Sequence, residues 1–167
     1  QANLDSQMPF LPRFGLCLPL VDAQTVHYLG QGPFENYADK LAASYRAQFS
    51  LDAGDFYEPY IKPQENGNRS QVAWLEVVQA PVLWQVQDQT PASSGLNFSL
   101  SPYSAQTLSQ TSHRDLLPEP SDYYLNLDLA QSGLGTNSCG PALPDAYRIT
   151  GPSLSCHWTM AWRPLDN

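Results

Sequence analysis

The sequence predicts a mainly β chain folded as an antiparallel β-sandwich, and three observations carry that prediction. Proline and glycine number 15 and 10 in 167 residues while charged residues make up only 14%, a mix that suits many turns better than helices built on Lys, Glu and Ala. Apolar and polar residues alternate over several short stretches bounded by turn-formers. The last of these alternates strictly: Leu154, Cys156, Trp158, Met160 and Trp162 face one way, and Ser155, His157, Thr159 and Ala161 the other, as expected of a sheet with one buried face. At this length, with 42% apolar residues, roughly 70% of the unfolded surface can be buried, and residues 1–167 read as a single domain.

Taken in order, Phe10 to Leu18 enters a strand after Pro12, with Phe14, Leu16 and Leu18 on one face. Thr25 to Leu29 is a second strand running into a glycine turn at Gly30-Gln31-Gly32-Pro33. Residues Asp39 to Phe49 allow a helical turn or two, although the apolar spacing is irregular. Val72 to Val78 and Val82 to Gln87 are strands parted at Ala80-Pro81, and Asn97 to Ser101 is another, with Phe98 and Leu100 sharing a face. The period then changes. Ser104 can N-cap a short helix, its hydroxyl accepting from first-turn amides, and the helix should end near His113. Tyr123 to Asp128, Tyr147 to Thr150 and the terminal stretch return to strand.

Composition excludes several functions. A net charge of −8 with eight scattered cations opposes nucleic acid or an anionic membrane surface as partner. No apolar run is long enough to span a membrane. Cys17, Cys139 and Cys156 show no CxxC or Cys/His zinc pattern; a disulfide between two of them stays open, but free thiols in a reducing, cytoplasmic setting are the preferred reading. The start, Gln1-Ala2-Asn3-Leu4-Asp5, lacks both the features of a signal peptide and an initiator Met, and reads as a boundary.

Catalysis by this chain alone finds little support. A glycosidase needs two carboxyls about 5 Å apart for retention or roughly 6.5–9.5 Å for inversion. Glu35, Asp39, Glu65 and Glu76 qualify by type only, and turn neighbours account for two of them: Glu35 lies beside Gly32-Pro33 and Asn36, and Glu65 precedes Asn66-Gly67. His27, His113 and His157 are available to a serine hydrolase, but there is no GxSxG elbow, no phosphate cradle and no metal triad. Trp74, Trp84, Trp158 and Trp162 could stack on sugars; filling a sandwich core is the commoner use of such residues.

Four stretches carry the reading further. Gly30 to Lys40 (GQGPFENYADK) is similar to the G-x-G-P-x-E-N-Y-x-D-R/K segment in the C-terminal domain of long β-galactosidases of glycoside hydrolase family 2. Pro59 to Arg69 (PYIKPQENGNR) resembles that family's P-Y-I/V-x-P-Q/S-E-N-G-x-R segment. Phe98 to Ser104, running on to Thr111-Ser112-His113, resembles its next block, and Leu125 to Asp128 followed by Gly133 to Pro141 resembles the one after. Order and spacing agree from about Leu11 to Trp162.

The resemblance implies the later part of a large antiparallel supersandwich of the galactose-mutarotase type, the last domain of the enzyme and in some members a separate small chain. It implies hydrolysis of terminal β-galactosides with retention by glutamates on a (β/α)8 barrel, which also supplies the Mg²⁺ and Na⁺ ligands. Nothing in this chain matches that barrel, so no catalytic or metal-ligating residue and no cofactor is assigned here, and the fragment alone is expected to be inactive. Implied partners are a β-galactoside, the remaining domains or large chain, and further copies of the enzyme. In characterised members the stretch corresponding to Gly133–Pro141 reaches the active site. Some carry a tryptophan at the position of Cys139 that stacks on the sugar; a thiol lacks that ring face but can line a pocket as a small polarisable group. Asn137 and Ser138 are candidates either for bonds to sugar hydroxyls or for holding the loop. The rival readings are a stand-alone carbohydrate-binding module using Trp and Tyr faces, and a purely structural assembly domain.

Overall fold

The computed structural model describes residues 2–3, 9–89, 95–135, 140–151 and 153–165. Strands β2 (Arg13–Leu20), β9 (Tyr123–Gln131), β8 (Leu96–Ser101) and β5 (Arg69–Val72) form one four-stranded sheet in that order. Strands β11 (Trp158–Pro164), β7 (Val82–Asp88), β6 (Trp74–Gln79), β3 (Thr25–Gly32) and β4 (Tyr45–Asp52) form a five-stranded one. Every strand pairing is antiparallel, and a short pair, β1 (Ala2–Asn3) with β10 (Ser153–Leu154), completes the set. The result is an antiparallel β-sandwich.

Alternation builds its core. Val26 and Tyr28 of β3, Leu75 and Val77 of β6, Phe98 and Leu100 of β8, and Leu125 and Leu127 of β9 are spaced two apart and all buried. Each such side chain contributes about 1.5–3 kcal/mol by leaving water. Tyr28, Phe56 and Phe98 meet at ring-centroid distances of 5.2–6.1 Å, which joins the two sheets through one aromatic cluster.

Several local expectations change. β3 runs on through Gly30 and Gly32, which pair with Ala47 and Tyr45, so the chain does not turn there. The glycines serve close approach instead: a Cβ on Gly32 would overlap the Tyr28 hydroxyl. Asp39 to Phe49 is not helical. Tyr37 and Lys40 bridge a tight turn, and β4 follows, with Ala47, Phe49 and Leu51 half-buried at alternate positions. The expected strand from Val72 to Val78 is two strands, because the chain leaves one sheet at Val72 and enters the other at Trp74.

The pairing register shifts between Phe14 and Gly15, where Leu129 of β9 is the extra residue of a bulge. Leu18 packs against the core, while Leu16 is exposed. Ser104 does cap the helix α1 (Ala105–Gln110), accepting from the Thr107 N–H at 3.0 Å. The helix stops at Gln110; His113 accepts from the Asp115 N–H and opens a 3-10 turn at Arg114–Leu116. Tyr147 to Thr150 is not a strand. Asp145–Tyr147 makes a 3-10 turn, and Ile149 bridges Leu11.

The terminal alternation is broken between β10 and β11 by residues 155–157. Trp158, Met160 and Trp162 do share a face, opposite Asp88, Val86 and Trp84, but Met160 and Trp162 are 42% and 63% exposed. β11 is an edge strand of the wider sheet, so the inward side of its far end stays open to solvent among the described residues. Trp74, Trp84 and Trp158 are half-buried rather than central.

Candidate functional site

The first two sequence motifs fold onto each other. Glu35 is buried, and its carboxylate accepts from Lys40, from the Tyr60 hydroxyl and from the Gly67 N–H at 2.9 Å. Burial works to raise its pKa, but these three donors prevail and hold it below the usual carboxylate value. Asn36, fully buried, donates to the carbonyls of Gln31 and Phe34 and accepts from the Ser70 N–H and hydroxyl. Gly67 lies at φ +75°, and a Cβ there would overlap the Phe56 carbonyl, so this turn requires glycine. The turn setting read from sequence for Glu35 is present, and Asn36 holds the same segment through its own backbone bonds.

Arg69, buried to 1% exposure, donates to the Gly67 and Asn68 carbonyls and lies over the Phe56 ring at 4.9 Å. Desolvation lowers its pKa.

Asp39 reaches a different part of the chain. Its two carboxylate oxygens accept from the N–H groups of Leu134 and Gly135 at 3.0 and 2.9 Å. The Gly133 N–H donates to the Tyr147 carbonyl, and Ser132 is tied to Leu11 and Ile149. The near end of the 133–141 loop is thus fastened from three sides. Asn137, Ser138 and Cys139 lie outside the described residues.

Beside this loop base opens a cleft of about 320 Å³, whose walls include Arg13, Glu65, Asn68, Ser99, Phe10 and Leu134. Arg13 approaches Glu65 at 3.2 Å and Asp128 at 3.8 Å and donates to Asn126 at 2.9 Å; Asn126 in turn donates to Ser99. Asn126, Asp128 and Ser99 occupy the strand positions that alternate with the core residues Leu125, Leu127, Phe98 and Leu100, yet all three are buried. The covering segment, which carries Glu65 and Asn66, makes this second face a polar interior. Desolvation lifts Asp128 to a pKa of about 6; Arg13 opposes that rise and Glu65 adds to it.

This polar layer was not singled out from sequence, because polar residues alternating with Leu in a strand read as solvent-facing. The signal available was the Asn126–Asp128 spacing itself, two residues apart beside Ser99 and Ser101 on the neighbouring strand. As chemistry, the cluster binds rather than reacts: both carboxyls are committed to Arg13. Glu76 accepts from Gln85 on the five-stranded sheet, in another wall of the molecule. His113 faces Asp115 at 3.2 Å on the surface. Among the described residues, no group of three or more His, Cys, Asp or Glu is arranged to hold a metal, and no helix is long and apolar enough to cross a membrane. Cys17 and Cys156 are free thiols.

Residues 1–160 match the model of the family described as β-galactosidase small chain. The β-galactosidase of Staphylococcus xylosus is 40% identical over 147 residues, covering 87% of this chain. That of Actinobacillus pleuropneumoniae is 37% identical over 145 residues, covering 86%, and that of Oenococcus oeni 33% over 166 residues, covering 98%. This chain spans only 14% of the length of the first two relatives and 15% of the third.

Proposed function

Since the chain belongs to the β-galactosidase small chain family, we propose that it is the C-terminal sandwich region of a β-galactosidase of glycoside hydrolase family 2, the supersandwich domain's later part. The whole enzyme hydrolyses terminal, lactose-type β-D-galactosides with retention, through a covalent galactosyl intermediate on a glutamate outside this chain. Mg²⁺ and Na⁺ belong to that other part as well; among the described residues no group of three or more His, Cys, Asp or Glu is arranged to hold a metal. The remaining domains, or a large chain, dock against this region in a cytoplasmic homo-oligomer.

In this reading the 133–141 loop forms one wall of the sugar pocket, with Cys139, Asn137 and Ser138 towards the substrate. The observation that supports it is the Asp39 clamp on Leu134 and Gly135. A loop tip that must meet a substrate within a fraction of an ångström needs a fixed base, and a carboxylate accepting two backbone N–H bonds supplies one.

Two measurements test it. The isolated chain should not turn over a chromogenic galactoside; turnover that disappears on replacing Glu35 or Glu65 would overturn the assignment of catalysis elsewhere. In the complete enzyme, Cys139→Trp adds a ring face for the sugar and should lower KM, whereas unchanged KM and kcat would remove the loop from the pocket.

A further inference from the structure

The five-stranded sheet ends on an open flank. β11 is its edge strand, and the pairing with β7 fixes which way each backbone group of β11 points. The Gln89 N–H donates to the His157 carbonyl and the Leu165 N–H to the Pro81 carbonyl, so the odd-numbered residues turn their N–H and C=O groups towards β7. The even-numbered Trp158, Met160 and Trp162 turn theirs the other way, to a flank on which no strand stands among the described residues. The same three side chains share the inward face, where Trp158 packs on the core while Met160 and Trp162 are 42% and 63% exposed. A row of unpaired backbone groups beside open apolar side chains is a template for one more strand.

The position of β1 says which strand that is. Ala2 and Asn3 pair antiparallel with Leu154 and Ser153, on the run of chain that leads into β11. Followed backwards in the same register, the chain before Gln1 passes alongside β11, with the third to the ninth residue before Gln1 opposite Trp158 to Pro164. On one flank that path is already taken by Gln89 and β7. A chain that keeps the register therefore runs along the free flank. There is polypeptide to do so, since this chain spans only 14–15% of the length of the relatives above. A second copy of the chain is the rival occupant, but only β1 fixes a direction and a register for what arrives.

We propose that the polypeptide immediately before Gln1 forms a sixth strand of this sheet, antiparallel to β11, with the third, fifth and seventh residues before Gln1 lying inward beside Trp158, Met160 and Trp162. This rests on the reading above only in needing chain ahead of Gln1.

The test uses the complete enzyme. Ala161 is exposed on the outer face and turns its backbone groups to β7, so the residue opposite it on the sixth strand, the sixth before Gln1, lies at a Cα separation of about 4.5 Å. That is within disulfide range. Ala161→Cys combined with a cysteine at this sixth position should give an intramolecular disulfide on mild oxidation, read as a cross-linked peptide by mass spectrometry. A cysteine at the second position before Gln1 instead, four residues out of register, should not. In the unmodified enzyme the amides of Met160 and Trp162 should exchange hydrogen within about tenfold of the rate of the Ala161 amide between them.

An alternating pattern, Ala161 slow and both neighbours fast, would leave β11 an edge and overturn the proposal. Slow exchange without the cross-link would give the flank to another strand, such as a second copy's, and overturn it too. So would a cross-link that forms equally at the second position, or a polypeptide with fewer than seven residues ahead of Gln1. Galactoside hydrolysis is scored separately. An active hydrolase without the cross-link fails this proposal alone, and a cross-linked protein without hydrolysis fails the β-galactosidase reading alone.

Discussion

Two buried carboxylates, Glu35 and Asp128, behave in opposite ways. Glu35 is held by a lysine, a tyrosine hydroxyl and a backbone N–H, and its pKa falls despite burial. Asp128 is buried at 2% exposure with an arginine at 3.8 Å that Glu65 and Asn126 share, and its pKa rises to about 6. Burial alone does not decide the charge state of an acid; the number of donors committed to it does. Glu35 belongs to a closed structural clamp. Asp128 belongs to a buried polar layer gathered round Arg13 and Asn126.

The largest expected effect comes from breaking the closed clamp. Glu35→Ala leaves Lys40, Tyr60 and the Gly67 N–H without their shared acceptor and should cost about 3 kcal/mol in urea unfolding. A loss below about 1 kcal/mol would mean that the clamp is replaceable by water.

The opposite pKa shifts give opposite pH dependences. For Glu35 the folded pKa is lowered, so its stabilisation is present above the ordinary value of 4.5 and is lost as pH falls through the folded pKa. For Asp128 the folded state holds its proton more tightly than the unfolded state does. Stability is therefore lost as pH rises from the ordinary value of 3.8 through about 6, by up to about 3 kcal/mol. Asp128→Asn should abolish the decline between pH 4 and 6 and leave the protein about 2 kcal/mol more stable at pH 7, with some of the gain returned through the lost Arg13 attraction. A wild-type urea midpoint that rises over that window would contradict the assignment.

Asp39 lies between the two regions, tying the turn after Glu35 to the loop base. Asp39→Ala should cost about 1–2 kcal/mol through two lost charge-assisted bonds. In the complete enzyme it should raise KM more than the stability loss explains, while Asp39→Asn, which keeps an acceptor for one of the two N–H groups, should recover part of it. The smallest effect belongs to the exposed arm of the open cluster. Glu65→Gln should change stability by about 0.5 kcal/mol, because that side chain is 46% exposed and its ion pair is screened.

Fold and family were both legible before the structure, for different reasons. Alternation exposes a strand wherever one face is core and the other solvent, which is why β6, β7, β8 and β9 were anticipated. β4 was missed because Tyr45, Arg46, Gln48 and Ser50 dilute a real two-residue period at Ala47, Phe49 and Leu51. The join of β5 and β6 was missed because both flanks of Ala73 are apolar, and only the one-residue change of phase marks it. Of the candidate site, the role of Glu35 could be read from turn chemistry, whereas the Asp39 clamp spans 95 and 96 residues of sequence and leaves no local trace. The Asp128 layer was hidden by a rule that usually holds: polar positions on an antiparallel strand face water, unless a long connection covers them.

The crossing at Ala73 has a consequence for how the molecule comes apart. Its N–H donates to the Leu29 carbonyl and its own carbonyl accepts from the Asp88 N–H, at the one residue between a strand of each sheet. Both bonds run to strands of the five-stranded sheet, β3 and β7, so slow amide exchange at Ala73 should follow the separation of β3 from β6 at the point where the chain enters that sheet.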